Sequence, residues 1–273
     1  MEIEIKPPGK WSFFDVKELA FYKDTLYFLA WKDIKIKYKQ AVLGFLWAFI
    51  QPIAMTAVFV IFNLAINVTL GDVNIPYPLF VLSGVMLWNL FGNAVTTTSN
   101  SVVSNANILK KIYFPRIFFP MSSLLVNLFD FFITLLIYIP VMVYFKVYPN
   151  WDIIYILPIC VLLVSILVLG IGSFFGALNV KYRDVKYVIP FIIQLLFFIS
   201  PVFYSNNQIA IPWLKSAYYL NPMTGVIELF RYGLFGTQIN QFGLSISIII
   251  SFVCLIVGLY YFRKTEYFFA DIS

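Results

Sequence analysis

Long apolar runs separated by short charged segments dominate the pattern of this chain. No charged residue occurs from Gln40 to Gly71, from Val73 to Leu109, from Tyr232 to Phe262, or between Asp152 and Lys181. Each run is longer than the ~20 residues that an α-helix needs to cross a ~30 Å hydrocarbon core. The pattern therefore predicts an all-α polytopic membrane protein and excludes a soluble globule.

Six transmembrane helices fit this hydropathy. We place them at about 41–66, 79–103, 117–145, 153–178, 187–205 and 242–262. The segment of about 206–241 is apolar, but prolines and glycines interrupt it too often for a simple span. Irregular backbone is tolerated at membrane depth only where protein or a water-filled cavity satisfies its hydrogen bonds. We expect one or two short re-entrant or interfacial helices there, on the outer side.

The basic residues are distributed unevenly among the loops. Sixteen of the 19 lysines and arginines lie before Gln40, at 110–116, at 181–186 or at 263–264, and only Lys146, Lys215 and Arg231 lie elsewhere. The positive-inside rule then places both termini and the loops near 110 and 183 in the cytoplasm. The net charge of +6 reflects this topology, and nucleic acid is not expected as a partner.

Residues 1–40 predict a cytoplasmic segment that lies on the membrane. Apolar and charged side chains are interleaved there, which suits an amphipathic helix in the inner interface and not a cleavable signal peptide. The lysines at 32, 35, 37 and 39 directly precede the first span. They anchor the segment to anionic membrane lipid at ~1 kcal/mol per residue, or they hold a phosphate-bearing substrate at the inner mouth.

Polar side chains inside the predicted spans offer further candidates. In the second span they share much of one helical stripe, which indicates either helix packing or a wet lining for a hydrophilic passenger: Asn93, Thr96, Thr97, Asn100, Ser101, Ser104 and Asn105. Asp130 is the only charge well inside a span, so it is either a functional acid or a hydrogen-bonded structural one. The spacing of Glu228 and Arg231 would pair them on one helix face.

Composition narrows the chemistry. The chain has no histidine, and its two cysteines, Cys160 and Cys254, lie deep in apolar runs. A zinc site, a histidine-based triad and a disulfide framework are therefore not expected. Aromatic residues make up 20% of the chain, more than two interfacial belts require. An aromatic-lined wet passage could accommodate the apolar C–H faces of sugars.

An energy source for transport is not evident in the chain. The one Gly-Lys pair, Gly9-Lys10, lacks the upstream glycine of a phosphate-binding loop. We expect no catalytic, metal or cofactor site in this chain. ATP hydrolysis, if it drives transport, is expected on a separate subunit.

Four segments together resemble one protein family. Residues 31–52, WKDIKIKYKQAVLGFLWAFIQP, resemble the signature that opens the permease subunits of bacterial polysaccharide ABC exporters of the ABC-2 type. Residues 107–116, NILKKIYFPR, resemble that family's cytoplasmic coupling helix, 179–185, NVKYRDV, its loop after span four, and 221–223, NPM, its outer gate. Such exporters carry O-antigen, capsular glycan or teichoic acid.

The resemblance implies a single ABC-2 type transmembrane domain over 1–273, with an interfacial segment at 1–40, a six-span core at 41–262 and a cytoplasmic tail at 263–273. It implies a homodimer in the bacterial inner membrane, seated on two copies of an ATPase subunit that binds Mg-ATP. A polyprenyl-pyrophosphate-linked glycan would move outward through a channel between the two copies.

The resemblance also implies four groups of site residues. The substrate entrance near the pyrophosphate comprises Lys35, Lys37, Lys39, Leu43 and Gly44. The channel lining comprises Trp88, Asn93, Thr97, Asn100, Ser101 and Ser104. The residues that couple the permease to the ATPase are Asn107, Ile108, Leu109, Lys110 and Lys111, in a coupling helix at about 101–113. The outer gate comprises Asn221, Pro222, Glu228 and Arg231.

Other functions fit some of these features. An ABC-2 drug or lipid exporter shares the same architecture. A secondary carrier or channel for a small polar solute would also use a polar second span and Asp130. A membrane transferase that acts on lipid-linked substrates is disfavoured by the absence of histidine and of a paired-carboxylate motif.

Overall fold

A computed structural model describes residues 16–39, 44–66, 75–109, 111–205, 213 and 217–266. All regular secondary structure in these residues is helical, as the hydropathy pattern predicts. The helices are α1 (Val16–Phe21), α2 (Lys23–Lys39), α3 (Gly44–Ile66), α4 (Tyr77–Ser104), α5 (Ala106–Leu109), α6 (Phe118–Tyr144), α7 (Ile153–Lys181), α8 (Val185–Ile199), α9 (Pro222–Phe235) and α10 (Gln241–Thr265).

Five of the described helices are long and apolar enough to cross a membrane: α3, α4, α6, α7 and α10. The predicted fifth span, 187–205, is shorter than expected, because α8 ends at Ile199 after 15 residues. At 1.5 Å per residue it measures only ~22 Å, less than the ~30 Å hydrocarbon core. The protein is therefore a multi-pass membrane protein, whereas the count of six spans stays a prediction.

Helix α4 forms the centre of the bundle. Its first 19 residues bury almost every side chain, including Leu79, Val85, Leu87 and Ala94, none of which is exposed. It contacts α3, α6, α7, α8 and α9. By contrast, α3 exposes Ile61, Phe62, Leu64 and other large apolar side chains. In a membrane, this outward face of α3 contacts lipid or another protein chain.

Helices α7 and α10 approach each other closely at two glycines. A Cβ built on Gly170 would lie 2.5 Å from the backbone of Cys254 and Leu255, and one on Gly258 would lie 1.9 Å from the carbonyl oxygen of Gly170. Small residues at such crossings let helix backbones meet, as is common between helices in membranes. This contact joins the last helix of the chain to the centre of the bundle.

One end of the bundle collects the segments that carry most of the basic residues. The side chains of Leu29, Val102, Phe119, Val180 and Phe262 belong to one buried apolar cluster. They come from α2, the end of α4, the start of α6 and the ends of α7 and α10. The loops near 110 and 183 and both chain ends of the described part therefore lie on the same side, as the charge distribution predicts.

Candidate functional site

A polar groove, here called the inner groove, runs between α2, α4 and α6 at the end of the bundle where the basic loops meet. Its volume is about 560 Å³. Its walls contain the polar stripe of α4, with Lys32, Asp33, Ile36 and Lys37 on the α2 side and Ser123, Val126 and Asn127 on the α6 side. The stripe contributes Thr96, Thr97, Asn100, Ser104 and Asn105. Seven of the twelve lining residues thus carry a hydroxyl or an amide group.

At the end of the groove that lies nearer the middle of α6, Lys37 forms an ion pair with Asp130. The Tyr38 hydroxyl donates a hydrogen bond to the other carboxylate oxygen. Burial raises the pKa of the Tyr38 hydroxyl, and its hydrogen bond to Asp130 raises it further, so Tyr38 keeps the proton that it donates. The Lys37 side chain is 48% exposed and that of Asp130 20% exposed. Asp130 is therefore a partnered acid that ties α2 to the middle of α6.

Four of the six predicted lining residues face the space between α2, α3, α4 and α6. Thr97, Asn100 and Ser104 line the inner groove, and Asn93 lines a cavity directly beyond it. The other two lie elsewhere. Trp88 is 4% exposed and packs against Phe197, and Ser101 is 2% exposed and donates to the Thr98 carbonyl. The predicted lining residues are spread over more than one face of the 28-residue helix α4, so part of the set reaches the protein core.

The predicted substrate-entrance residues are not brought together. Lys37 lines the inner groove, whereas Lys35 and Lys39 are exposed and do not line it. Residues four apart share a helix face, but Lys37 lies between them in sequence and projects to the other side of α2. Gly44 is the first residue of α3, and Leu43 lies outside the described residues.

The predicted coupling helix at about 101–113 is wrong in its extent. Helix α4 continues to Ser104, Asn105 ends it, and α5 is only four residues long. The Asn105 side chain donates to the Ser101 carbonyl and accepts from Lys32 Nζ at 3.1 Å, which fixes the break. Of the predicted coupling residues, Asn107 and Lys111 are exposed, Ile108 and Leu109 pack against the cluster at this end of the bundle, and Lys110 lies outside the described residues.

Beyond α5, this end of the bundle presents an apolar surface. Ile112 is 63% exposed and Tyr113 59% exposed. They border a depression of about 200 Å³ that also contains Lys111 and Arg116. Arg116 donates to the Glu266 carbonyl at the end of α10, so the segment is tied to the bundle. An exposed apolar pair beside basic side chains is typical of an interaction surface.

The four predicted gate residues lie on α9 or at its start. Asn221 caps the helix by accepting from the Met223 amide and donates to Ser200 at 2.6 Å, which links α9 to the end of α8. Pro222 occupies the first helical position, as proline often does. The Glu228 carboxylate accepts from the Tyr219 hydroxyl at 3.2 Å.

Arg231 has a different environment from the one that the spacing predicted. Its side chain is 3% exposed. The guanidinium donates to the carbonyls of Phe80, Pro201 and Val202 and to Ser83, with distances of 2.7 to 3.3 Å. It also lies 3.5 Å from the centre of the Phe80 ring. The spacing predicted a position beside Glu228 on one face of the helix. The Arg231 guanidinium instead points into the protein, where it joins α9 to the start of α4 and to the segment after α8.

Two further residues of the site, Asn179 and Asn127, are not indicated by the sequence pattern. Asn179, 2% exposed, donates to Asn100 Oδ1 at 2.8 Å and to the Ser99 carbonyl. Asn127 donates to Thr97 Oγ1 at 2.8 Å. The asparagines on α6 and α7 therefore hold the polar stripe in place. Asn179 opens the NVKYRDV segment and could have been noticed there, but nothing near Asn127 in the sequence indicates its partner.

Comparison with known proteins agrees with this architecture. The family described as ABC-2 type transporter matches residues 25–235. The O-antigen export system permease protein RfbA of Klebsiella pneumoniae is 29% identical over 257 residues, which cover 93% of this chain and 96% of that protein.

Two further relatives come from other organisms. The RfbA protein of Myxococcus xanthus is 28% identical to this chain, and the alignment covers 79% of this chain and 82% of that protein. The polysialic acid transport protein KpsM of Escherichia coli is 25% identical and covers 89% of this chain and 94% of its own length. The match to the family spans well over half of the chain, from α2 to the end of α9. The chain is therefore a member of the ABC-2 type transporter family, related to permeases of O-antigen and polysialic acid export.

Proposed function

We propose that this chain is the transmembrane subunit of an ATP-driven exporter of a lipid-linked polysaccharide. The single observation that carries the proposal is the inner groove, whose hydroxyl and amide lining suits a hydroxyl-rich chain better than an apolar drug or lipid. Relatives named for O-antigen export and polysialic acid transport support the same substrate class.

In this proposal the protein works as a homodimer of six-span subunits in the bacterial inner membrane, with both termini in the cytoplasm. The glycan crosses through a channel at the interface between the two copies, and the inner groove of each copy opens into it. The exposed apolar face of α3 supports such a dimer, because it leaves a large surface of one membrane helix uncovered in the single chain. The helices α8 and α9 and their connection form the outer gate.

The polyprenyl-pyrophosphate end of the substrate is proposed to bind at Lys35 and Lys39. Both are exposed on α2, and neither has a side-chain partner within the described part of the chain. Tyr27 and Trp31 stack on the same helix with ring centres 6.4 Å apart, and both are exposed. Exposed aromatic rings next to lysines are typical of a helix in the membrane interface, where a lipid-linked phosphate also lies.

Each copy is proposed to contact one ATPase subunit, which binds Mg-ATP, through Asn107, Lys111, Ile112 and Tyr113. The apolar pair at 112 and 113 would form the centre of that contact and the polar residues its rim. ATP hydrolysis on the partner would then move α5 and, through the helix end at Asn105, the groove wall on α4.

Affinity purification from the native membrane in mild detergent tests the partner. We expect a phosphate-loop ATPase at about one copy per copy of this chain by quantitative mass spectrometry. Tyr113→Asp should reduce its recovery severalfold, whereas Tyr148→Asp, an equally drastic change at a side chain 75% exposed far from α5 in sequence, should not. Purification without any nucleotide-binding partner would contradict the proposal and favour a secondary carrier or channel.

Deletion of the encoding gene tests the substrate. We expect the surface polysaccharide to be lost while its lipid-linked form accumulates in the cell, because synthesis continues without export. Normal surface polysaccharide together with a changed drug or lipid content would instead indicate the drug or lipid exporter.

A further inference from the structure

A separate cavity lies beyond the inner groove, between α2, α3, α4 and α6 of the same chain. Its volume is about 140 Å³. Lys37 and Asn127 border both spaces, so the ion pair of Lys37 with Asp130 stands where the groove meets the cavity. The cavity belongs to one copy of the chain and needs no second copy to form its walls.

Three carboxamides face this cavity without a partner of their own. The side chains of Gln51, Asn89 and Asn93 line it and make no hydrogen bond to any residue that the structure describes. Each offers both donors and an acceptor. In the single chain Gln51 and Asn93 are exposed and Asn89 is half-buried, but polar groups at membrane depth are normally satisfied, since each unmade hydrogen bond costs about 1–3 kcal/mol. Three such groups around one space indicate that the space is occupied by a polar molecule or by water.

The charge around the cavity selects the kind of occupant. Asp130 neutralises Lys37, and the Tyr38 hydroxyl completes the contacts of the carboxylate. No further charged residue lies among the described residues that line the cavity. A pyrophosphate would need an uncompensated cation here, because a desolvated anion is costly without one. A neutral, hydroxyl-rich group instead matches the donors and acceptors of the three carboxamides.

One wall of the cavity is the Trp47 side chain. Its indole offers an apolar face, and 58% of the residue is exposed. The cavity is smaller than the ~300–1,000 Å³ pockets that enclose drug-sized ligands. Its size fits a single small unit and not a chain.

We infer that this cavity is a binding site for one neutral sugar unit, hydrogen-bonded by Gln51, Asn89 and Asn93 and stacked on Trp47. The inference rests on the proposed function for the source of the sugar, which is the exported glycan. The site is distinct from Lys35 and Lys39, where the anionic lipid end would bind. Each copy of the permease would therefore hold the glycan at one sugar while the phosphate end is held at the membrane surface.

Saturation-transfer-difference NMR tests the site on the full chain in phospholipid nanodiscs. The probes are neutral oligosaccharides released by mild acid from the producing cell's own surface glycan, with empty nanodiscs as the blank. We expect saturation transfer to the sugar protons with wild-type protein and a loss of at least fivefold in Asn93→Leu and in Asn89→Leu. The matched control is Asn63→Leu, which removes the same amide from α3, 12 residues beyond Gln51 and outside the cavity.

Each other outcome overturns the inference. Absence of transfer to wild-type protein, or equal signals in all variants, would show that no sugar binds in the cavity. Displacement of the signal by inorganic pyrophosphate, and not by excess sugar, would assign the site to an anion. The ATPase co-purification is independent of this measurement, so a missing ATPase with intact sugar binding would refute the export mechanism alone.

Discussion

Two charged clusters along α4 are built in opposite ways. Arg231 lies near the start of α4, is almost fully buried, and directs its guanidinium to four oxygens of two other segments. Lys37 and Asp130 lie beside the middle of α4, partly exposed and next to carboxamides that have no partner in the described structure. A cluster with all its donors satisfied stabilises a fold, whereas a cluster with spare donors and acceptors is available to a ligand.

The helices around the two clusters also differ, because they pack closely around Arg231 and leave open space beside Lys37. Around Arg231, the helices α4, α7, α9 and α10 pack tightly; we call them the packed half. Around Lys37, the helices α2, α3 and α6 enclose the groove and the cavity against one face of α4; we call these three helices the polar flank. The packed half has the properties of a scaffold. The polar flank has those of a site, and the following predictions separate the two by stability and by transport.

The largest loss of stability is expected at Arg231. Arg231→Met removes the donors for three carbonyl oxygens, of Phe80 in α4 and of Pro201 and Val202 after α8, each of which costs about 1–3 kcal/mol when left unpaired. We expect the free energy of unfolding to fall by about 3–5 kcal/mol, as when one member of a buried charged network is removed. Thermal unfolding in detergent, followed by size-exclusion chromatography, measures the change.

Arg231→Lys is the informative companion variant. It keeps the charge but loses the planar fork that reaches several oxygens at once, so it should recover only part of the stability. Full recovery with lysine would show that the charge matters and the hydrogen-bond geometry does not.

A smaller loss is expected at the crossing of α7 and α10. Gly170→Ala places a methyl group against the backbone of α10, which cannot move aside as a flexible side chain would. Overpacking of this kind costs about 1–3 kcal/mol. The measurement is the midpoint of thermal unfolding in detergent.

The matched control is Gly176→Ala on the same helix. A Cβ there would lie 3.6 Å from its nearest neighbours, an ordinary contact. It should unfold at or above the wild-type temperature, because alanine favours the helix more than glycine does. An equal drop of the unfolding midpoint in both variants would indicate that α7 tolerates alanine poorly at any of its glycines, and would argue against a specific close contact with α10.

The smallest effect on stability, and the clearest effect on transport, is expected in the polar flank. The double variant Lys37→Gln, Asp130→Asn removes a partly exposed ion pair, whose contribution is at most about 1 kcal/mol. Export should nevertheless fall by about tenfold, which corresponds to ~1.4 kcal/mol on the transport barrier. Surface glycan measured per permease copy in the membrane gives the comparison.

The matched control for the polar flank is Lys23→Gln. Lys23 is an exposed lysine of the same helix that lines neither the groove nor the cavity. It should reduce export less than the double variant does. A double variant that exports normally, or that is lost from the membrane, would leave the ion pair as a structural anchor only.

Much of the fold could be predicted from hydropathy because a membrane helix must be long, apolar and internally hydrogen-bonded. The predicted spans at 79–103 and 153–178 agree with α4 and α7 within a few residues. The side chains at the end of a helix decide where it stops. The predicted coupling helix therefore differs from the structure at Asn105, whose side-chain amide donates to the Ser101 carbonyl of α4 and ends that helix.

The candidate site was predictable only in part, since its residues were visible but their partners were not. Asn93, Thr97, Asn100 and Ser104 stand out as a polar stripe in an apolar span. Asp130 stands out as a lone charge in the sequence, yet its partner Lys37 lies 93 positions away. No periodicity can indicate such a pairing, because it depends on how α2 lies across α6.

The sequence by itself determined the class of protein, the helices, the common side of the basic loops and the family, because these follow from local composition and from short motifs. Only the tertiary structure decided that Lys37 turns away from Lys35 and Lys39 to neutralise Asp130, and that Arg231 binds carbonyls of α4 and of the segment that follows α8. It also decided that the polar stripe encloses a groove within one chain. These outcomes depend on which helix faces meet, and that choice is made by packing and by the need to pair every charge that the membrane surrounds.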